Sequence, residues 1–581
     1  MSVAVAETKE KEPENIIAQR LVTGAQALLL SLLEEGVDTI FGYPGGAIMP
    51  IYDALYDFQD QLKHHLVRHE QGGAHAAQGY ARITGKPGVC FATSGPGATN
   101  LITGIADAQI DSTPLVCITG QVSSHLLGTD AFQETDVLGV SMPVTKWNYQ
   151  VTRAEEIPEA IAKAFYIATS GRPGPVLIDI TKDAQNATFG YSYTKCKRIN
   201  SYYPVPRINS VSIEAAAELI NEAKKPFVLW GQGVLLSQAE KELQTFIEKA
   251  GIPAAWTILG LSGLRTDHPL NVGMLGMHGN YGPNVKTNEA DVVIAIGMRF
   301  DDRVTGDLKR YARQAKIIHI EIDDAEINKN VQADVAIHAD AKAALQALIP
   351  LVDEKEHAAW IQEFKDCAQI EYEKVMRPEM FPVAGQIKMA EAMHQISELS
   401  HGQAVVVTDV GQHQMIAMRY YNFKDLRSNI TSGGLGTMGF CLPAAIGAKV
   451  GVPDRQVIAV IGDGGFQMTI QELGCIFQYQ IGVKIVILNN NFLGMVRQWQ
   501  QLFHQKRYSS TEMVNPDFVG IGKAYGIAGE KVTERENLAT AIQTMLDHEG
   551  PYLLEIVVEK EDNVFPMVPT GDSVANIRLE A

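Results

Sequence analysis

Two short apolar runs end in residues that could bind a metal ion and an anion together. Gly462, Asp463 and Gly464 close the run QVIAVI, and Asn489 and Asn490 close the next run, KIVIL. A carboxylate and an amide oxygen at adjacent strand ends can hold a hard divalent cation that also binds a diphosphate. Glycine lets the backbone approach the phosphates, and the helix after GDGGF can turn its N-terminal amides toward them. GDG alone is common at hairpins and NN is common in loops. Their pairing at this interval, each at a strand end, favours the ligand reading.

Glu70, in VRHEQGGAHAAQGYARITG, stands between a strand-like LKHHLVR and a helix. A glutamate at a helix start is ordinarily only favourable to the helix dipole. A zinc-protease HExxH is excluded, because the required histidine position is Gly73. Gly434, Gly436 and Gly439 in GGLGTMG match GxGxxG formally, but the preceding SNITS is polar, so the dinucleotide fingerprint is rejected there. GQG after the VLW run is a weak hint of a phosphate loop.

The elements that must position these residues read as α/β throughout. The chain has 581 residues, 46% hydrophobic and 20% charged, enough for three or four domains. A net charge of -18 argues against a polyphosphate-binding groove and leaves small anionic substrates possible. No run of about 18 apolar residues occurs, so a soluble protein is expected. The six cysteines are scattered without a CxxC pair, which fits a reducing cytoplasm. Residues 1–18 are polar and expected to be a disordered tail.

Residues 19–190 alternate β-rich runs (DTIFGYP, GVCFATSGPG, PLVCITGQ, GPVLIDIT) with helical stretches, which predicts parallel strands joined by crossover helices. A linker is expected at 191–210. A second α/β block follows at 211–352, with strands at KPFVLWG, DVVIAIG and AKIIHIEID, then a polar, helix-biased linker at 353–385. The third block, 386–560, carries strands at AVVVTDVG, QVIAVIGDG, VKIVILNN and YLLEIVVE, each ending in a polar residue or glycine, where open α/β sheets bind ligands. No internal repeat is evident. The tail 561–581 is too apolar at Val564 to Val568 for a linker and is expected to fold over a site.

GDG followed at this interval by NN resembles the thiamin-diphosphate enzyme superfamily. The words FGYPGGAI, RHEQGGAH, TSGPGATN, GTDAFQE, SGRPGPVLIDI, LGMHG, RFDDRVTG, GGLGTMG and LGMVRQWQ, in order over almost the whole chain, resemble the large subunits of the biosynthetic acetohydroxyacid synthases. The resemblance implies an α/β protein of three doubly wound parallel-sheet domains: one binding the pyrimidine, a central one binding FAD and one binding the diphosphate. It implies Mg2+ on Asp463, Asn490 and the backbone carbonyl of Phe492. Val410, Gly411, Gln412, His413, Gly436, Gly464, Gly465 and Met495 are implied as further thiamin diphosphate contacts, with Met438 beneath the cofactor's folded rings. The magnesium, not protein cations, would neutralise the diphosphate.

Glu70 is implied to hydrogen-bond the aminopyrimidine and promote the form that removes the thiazolium proton. Gly46 would lie near the reacting centre, and Gln133 and Lys182 would line the access channel. The implied FAD contacts are Arg172, Gly231, Gly233, Thr257, Met277, His278, Gly297, Arg299, Asp301, Arg303, Glu321, Ile322 and Asp340. Trp499 would shape the pocket for the second substrate, a reading the residues alone do not separate from a core aromatic, and Arg303 would lie near that substrate's carboxylate.

The implied reaction decarboxylates pyruvate and condenses the two-carbon unit with pyruvate or 2-ketobutyrate, giving 2-acetolactate or 2-aceto-2-hydroxybutyrate for branched-chain amino-acid synthesis. FAD would have no net redox role. A homodimer or tetramer and a separate small regulatory subunit are implied partners. The alternative is a pyruvate oxidase-type flavoenzyme; a non-catalytic relative is a third reading, against which the joint retention of Glu70, Asp463 and Asn490 argues. Ser123 departs from the family, where many relatives carry proline at the rim of the herbicide channel; this puts sensitivity to sulfonylurea-type inhibitors in doubt.

Overall fold

Runs such as VVIAI and VIAVI are apolar at every position because both faces of their strands are covered, the pattern of parallel sheets. The computed structural model describes residues 20–580, so the tail expected at 1–18 lies outside the described residues. It contains three six-stranded sheets and one two-stranded ribbon, in which β1 (Leu21–Thr23) pairs antiparallel with β8 (Thr188–Gly190).

The first sheet is built from β2 (Thr39–Gly42), β3 (Lys63–Leu66), β4 (Gly88–Ala92), β5 (Leu115–Gln121), β6 (Trp147–Val151) and β7 (Pro175–Thr181), in the order β3-β2-β4-β5-β7-β6. The central sheet takes β9 (Pro226–Trp230), β10 (Ala254–Trp256), β11 (Asn271–Met274), β12 (Val292–Ile296), β13 (Lys316–Glu321) and β14 (Val335–His338), in the order β11-β10-β9-β12-β13-β14. The third holds β15 (Val405–Thr408), β16 (Asn429–Thr431), β17 (Val457–Gly462), β18 (Val483–Asn489), β19 (Ala528–Val532) and β20 (Tyr552–Val557), in the order β16-β15-β17-β18-β20-β19. Every pairing within these three sheets is parallel.

The first and third sheets share one strand order, although no repeat shows in the residues. In the central sheet the order of strand addition reverses between β9 and β12, the arrangement that opens a ligand crevice at a doubly wound sheet. SNITS, read as too polar for a strand, contains β16; its Ser428 and Thr431 are buried, and their hydroxyls bond Asp425, Thr408 and Gln414. No helix begins at once after it, for the next starts at Cys441, so the fingerprint geometry is still missing.

The helices Glu70–Thr84 and Cys441–Gly451 follow the second strand in each of these two sheets and pack on each other. A Cβ at Gly79 would fall 2.0 Å from the Ala444 carbonyl oxygen, and one at Gly447 1.7 Å from that of Ala76. Around this crossing Ala76, Tyr80, Leu442 and Ile446 belong to one buried cluster that joins the first and third domains. A second cluster joins the central and third domains, with Trp230, Ile294, Val460 and Leu488 among its members.

The segment read as a second linker holds the helix Ala358–Glu371. Its buried Glu371 accepts from Asn280 and from the Tyr281 N–H and pairs with Arg419, bracketing the central domain to the third. Gly79→Ala or Gly447→Ala should each cost about 1–3 kcal/mol of stability by overpacking the crossing. In urea titrations both should lower the midpoint, whereas Gly46→Ala, whose Cβ meets nothing within 4 Å, should leave it unchanged.

Candidate active site

The C-terminal edge of the third sheet gathers the metal-motif residues. β17 ends at Gly462 and the helix Asp463–Met468 begins on Asp463 itself, so the carboxylate opens the helix instead of preceding it. β18, its neighbour, ends at Asn489. Asp463 is buried, and burial pushes its carboxyl up to about 6. Its Oδ2 accepts from Asn515 Nδ2 at 2.6 Å, and the same amide reaches Asn489 Oδ1 at 3.0 Å and Asn491 Oδ1 at 3.2 Å.

Asn490 Oδ1 accepts the Phe492 N–H at 3.1 Å. The bridge between Phe492 and Glu512 uses the Asn491 carbonyl and the Leu493 N–H, which leaves the Phe492 carbonyl out of the pairing. One carboxylate, one amide oxygen and one backbone carbonyl are the oxygen donors a hard cation takes, and a buried carboxylate without a cationic partner gains from one. The residues therefore fit magnesium. Among the described residues no group of three or more His, Cys, Asp or Glu side chains offers another metal site.

The neighbouring strand ends complete this edge. Gly411 has φ +150°, a conformation open to glycine, and starts the helix Gln412–Tyr420. Asp409, which spacing did not single out, accepts from the Gly439 N–H at 2.8 Å and bonds the His413 ring. A Cβ at Gly465 would fall 2.2 Å from Asp409 Oδ2, so only glycine fits there. The Met438 methyl lies beside Gly464.

Glu70 opens its helix at the C-terminal edge of the first sheet, buried, with Oε2 accepting from Asn100 Nδ2 at 2.9 Å. Gly46 follows β2 and is exposed, Gln133 sits over Gly95 after β4, and Lys182 follows β7 directly and is exposed. All of these gather at this one edge. Ser123 has φ -61°, a value a proline ring would also adopt. Among the described residues no hydrogen bond joins Glu70 to Asp463 within one chain.

A cavity of about 1220 Å³ runs between the three domains. Every residue implied as an FAD contact lines it: Arg172, Gly231, Gly233, Thr257, Met277, His278, Gly297, Arg299, Asp301, Arg303, Glu321, Ile322 and Asp340. Val410, Gly411, Gly436, Met495 and Trp499 line the same space, whereas Glu70, Gly46, Gln133 and Lys182 do not. Gly231 and Gly233, after β9, pack on Gly297, after β12, with added Cβ atoms 2.3 Å and 2.6 Å from its backbone. These are the strand ends where the sheet order reverses, so the crevice fits a dinucleotide.

Burial pushes Glu321 up to about 7 and pulls His278 down to about 4, leaving a neutral imidazole whose Nδ1 lacks a partner. The Arg303 guanidinium is largely exposed, and the Trp499 ring leans on Phe503.

The C-terminal tail is a strap between domains. Gln412 Nε2 donates to the Asp562 carbonyl at 2.9 Å and the Val564 N–H to Gln498 at 2.9 Å. Further on, the Val568 N–H donates to the Met277 carbonyl at 2.7 Å, and Thr570 lines the cavity. A buried clamp grips the loop carrying Gly436 and Met438. Asp111 accepts from the Gly433 and Gly434 N–H groups at 2.9 and 2.7 Å and pairs with Arg82, while Asp107 accepts from Ser432 and Thr437.

Three family models match the chain: the thiamine pyrophosphate enzyme N-terminal TPP binding domain over residues 22–140, the central domain over 213–348 and the C-terminal TPP binding domain over 409–556. Fold and site thus define a thiamine pyrophosphate enzyme. The chain is 48% identical over 554 residues to the acetolactate synthase isozyme 2 large subunit of Escherichia coli (strain K12), covering 95% of this chain and 98% of that one. It is 45% identical to the probable acetolactate synthase large subunit of Methanocaldococcus jannaschii, over 95% of each chain. It is also 45% identical to the chloroplastic acetolactate synthase 2 of Nicotiana tabacum, over 96% of this chain and 85% of that one. The chain belongs to the acetolactate synthase large-subunit family. No helix among the described residues is long and apolar enough to cross a membrane.

Asp111→Ala would break a buried ion pair with Arg82 and take the acceptor from the Gly433 and Gly434 N–H groups, at a cost of about 3–5 kcal/mol. Loss of stability in a guanidinium titration, with the Gly433–Gly434 amides newly open to hydrogen exchange, is the expected result.

Proposed function

We propose that this chain is the catalytic subunit of an acetolactate synthase of the cytoplasm. It takes two molecules of 2-keto acid, releases carbon dioxide from the first, always pyruvate, and joins the remaining two-carbon unit to the keto carbon of the second. Pyruvate as acceptor gives 2-acetolactate, and 2-ketobutyrate gives 2-aceto-2-hydroxybutyrate. The observation that carries the reading is near-full-length identity to acetolactate synthases together with a buried Glu70 and the Asp463, Asn490 and Phe492 oxygen set at equivalent sheet edges.

Thiamin diphosphate, when bound, supplies the carbon nucleophile and the electron sink for decarboxylation. Asp463, Asn490 and the Phe492 carbonyl would hold the magnesium that neutralises its diphosphate, and the Gly464 and Gly465 N–H groups would be donors for the phosphates. Val410, Gly411, Gln412, His413, Gly436, Met438 and Met495 enclose the rest of the cofactor. Glu70 holds the proton at the aminopyrimidine ring; its burial keeps water from that exchange. Arg303 offers a planar fork to the acceptor's carboxylate, and Trp499 bounds the space for its alkyl group. Gly46, Gln133 and Lys182 line the approach. The cavity residues from Arg172 to Asp340 hold FAD, with no net redox step.

Glu70 stands apart from the cavity of its own chain, and Phe132 and Met468 are exposed beside Gln133 and at the end of the Asp463 helix. Both facts support a homodimer in which each site takes one edge from each chain. Relatives named as large subunits support a separate small regulatory subunit.

Glu70→Gln should lower acetolactate formation about 100- to 10,000-fold at saturating cofactor. The wild type should give 2-acetolactate from pyruvate alone and 2-aceto-2-hydroxybutyrate when 2-ketobutyrate is added. Undiminished turnover in Glu70→Gln would refute the role of Glu70. Bleaching of bound flavin by pyruvate at the turnover rate would instead identify an oxidase.

A further inference from the structure

One buried carboxylate at the seam between the first and third domains has no part in the chemistry above. Glu472 ends the single turn Ile470–Glu472, just beyond the Asp463 helix, and is fully buried. Its Oε1 accepts the backbone N–H groups of Arg68 and His69, each at 3.0 Å, and its Oε2 lies 3.2 Å from the Arg68 N–H. Those two residues immediately precede Glu70, at the turn between β3 and the helix Glu70–Thr84.

N–H groups at a helix start lack partners within the helix, and a negative charge placed there is favoured. The His69 ring serves only the next one, accepting the Gln71 N–H at 3.2 Å. The carboxylate can come this close because residue 72 is glycine; a Cβ there would fall 2.5 Å from Glu472 Oε1. Arg68 binds back the other way, donating to the Gly474 carbonyl at 3.0 Å and to Gln478 at 2.8 Å. The turn that launches Glu70 is thus held from the third domain by both its amides and its arginine. Burial pushes the Glu472 carboxyl up to about 7, with Glu70 adding to the shift, so the two carboxylates lie within each other's field.

We propose that Glu472 is a positioning residue for Glu70: by holding the Arg68 and His69 N–H groups it fixes where the helix starts, and so where the Glu70 carboxylate meets the cofactor. The inference rests on the proton-handling role given to Glu70. A seam contact of purely structural worth would alter stability and leave proton exchange on the cofactor untouched.

The test uses the holoenzyme with Mg2+ and thiamin diphosphate and follows hydrogen–deuterium exchange at C2 of the bound cofactor by acid quench and NMR, beside kcat and KM for pyruvate. Glu472→Asp withdraws the carboxylate by one methylene; it should slow exchange and kcat together by about 100-fold while KM stays within about threefold. Glu472→Gln keeps an oxygen in place and should exchange within about threefold of wild type. Glu70→Gln combined with Glu472→Asp should be no slower than Glu70→Gln alone, the mark of two residues acting as one unit. If Glu472→Asp does not assemble, Gly72→Ala, which pushes the carboxylate away from the same turn, should show the same loss of exchange.

Wild-type exchange in Glu472→Asp, or in an assembled Gly72→Ala, overturns the proposal, as does a Gln variant as slow as the Asp one. Wild-type exchange in Glu70→Gln brings down the role of Glu70 itself, and the positioning role with it.

Discussion

The crossing of the helices Glu70–Thr84 and Cys441–Gly451 is the constraint on which the rest depends. Gly79 lies against the Ala444 carbonyl and Gly447 against that of Ala76, so each helix gives the other a glycine to press into. Larger residues at either site would hold the backbones apart. The two helices follow equivalent strands of two sheets with the same order, so the contact relates the first and third domains as near copies. Glu70 begins one of these helices, and the loop bearing Gly436 and Met438 leads into the other. A shift at the crossing would move both.

Buried acids at the seam convert that packing into precise placement. Asp107 and Asp111, from the first domain, hold the Ser432–Thr437 loop of the third, and Glu472, from the third, holds the Arg68–His69 turn of the first. Asp111 and Glu472 take backbone N–H groups and Asp107 takes the Ser432 and Thr437 hydroxyls, and a buried donor left without its acceptor costs about 1–3 kcal/mol. Domain contact and site geometry are therefore one set of hydrogen bonds. The tail extends this logic to the central domain, running from Gln412 past Gln498 to the Met277 carbonyl.

Much of this was legible in the residues, for a definite reason. The strands that announced themselves, such as VCFA, VVIAI and IVIL, are buried on both faces, so their sequence is continuously apolar. Those that did not were mainly sheet edges: β6, β11, β14, β16 and β19. An edge strand has one neighbour and needs no continuous apolar run; SNITS looks like a loop because its buried Ser428 and Thr431 serve hydrogen bonds to other elements. The pairing of Asp463 with Asn490 could be read because the two sit one strand apart, and the residues proposed for FAD came only through resemblance, since they share a cavity but no local pattern. Asn515, Asp409, Asn100 and Glu472 could not be found this way. Glu472 meets its partners some 400 positions away in the chain, and nothing local marks a carboxylate for that use.

The central claim is that Glu70 of one chain works with Asp463 of another. Chains carrying Glu70→Gln and chains carrying Asp463→Asn, each inactive alone, can be unfolded, mixed in equal amounts and refolded with cofactors. If each site takes one edge from each chain, mixed dimers hold one intact site and one doubly altered site, and random pairing restores about a quarter of wild-type acetolactate formation. If Glu70 and Asp463 serve a site within a single chain, no mixture contains an intact one, and activity that stays at the level of the separate variants would contradict the claim.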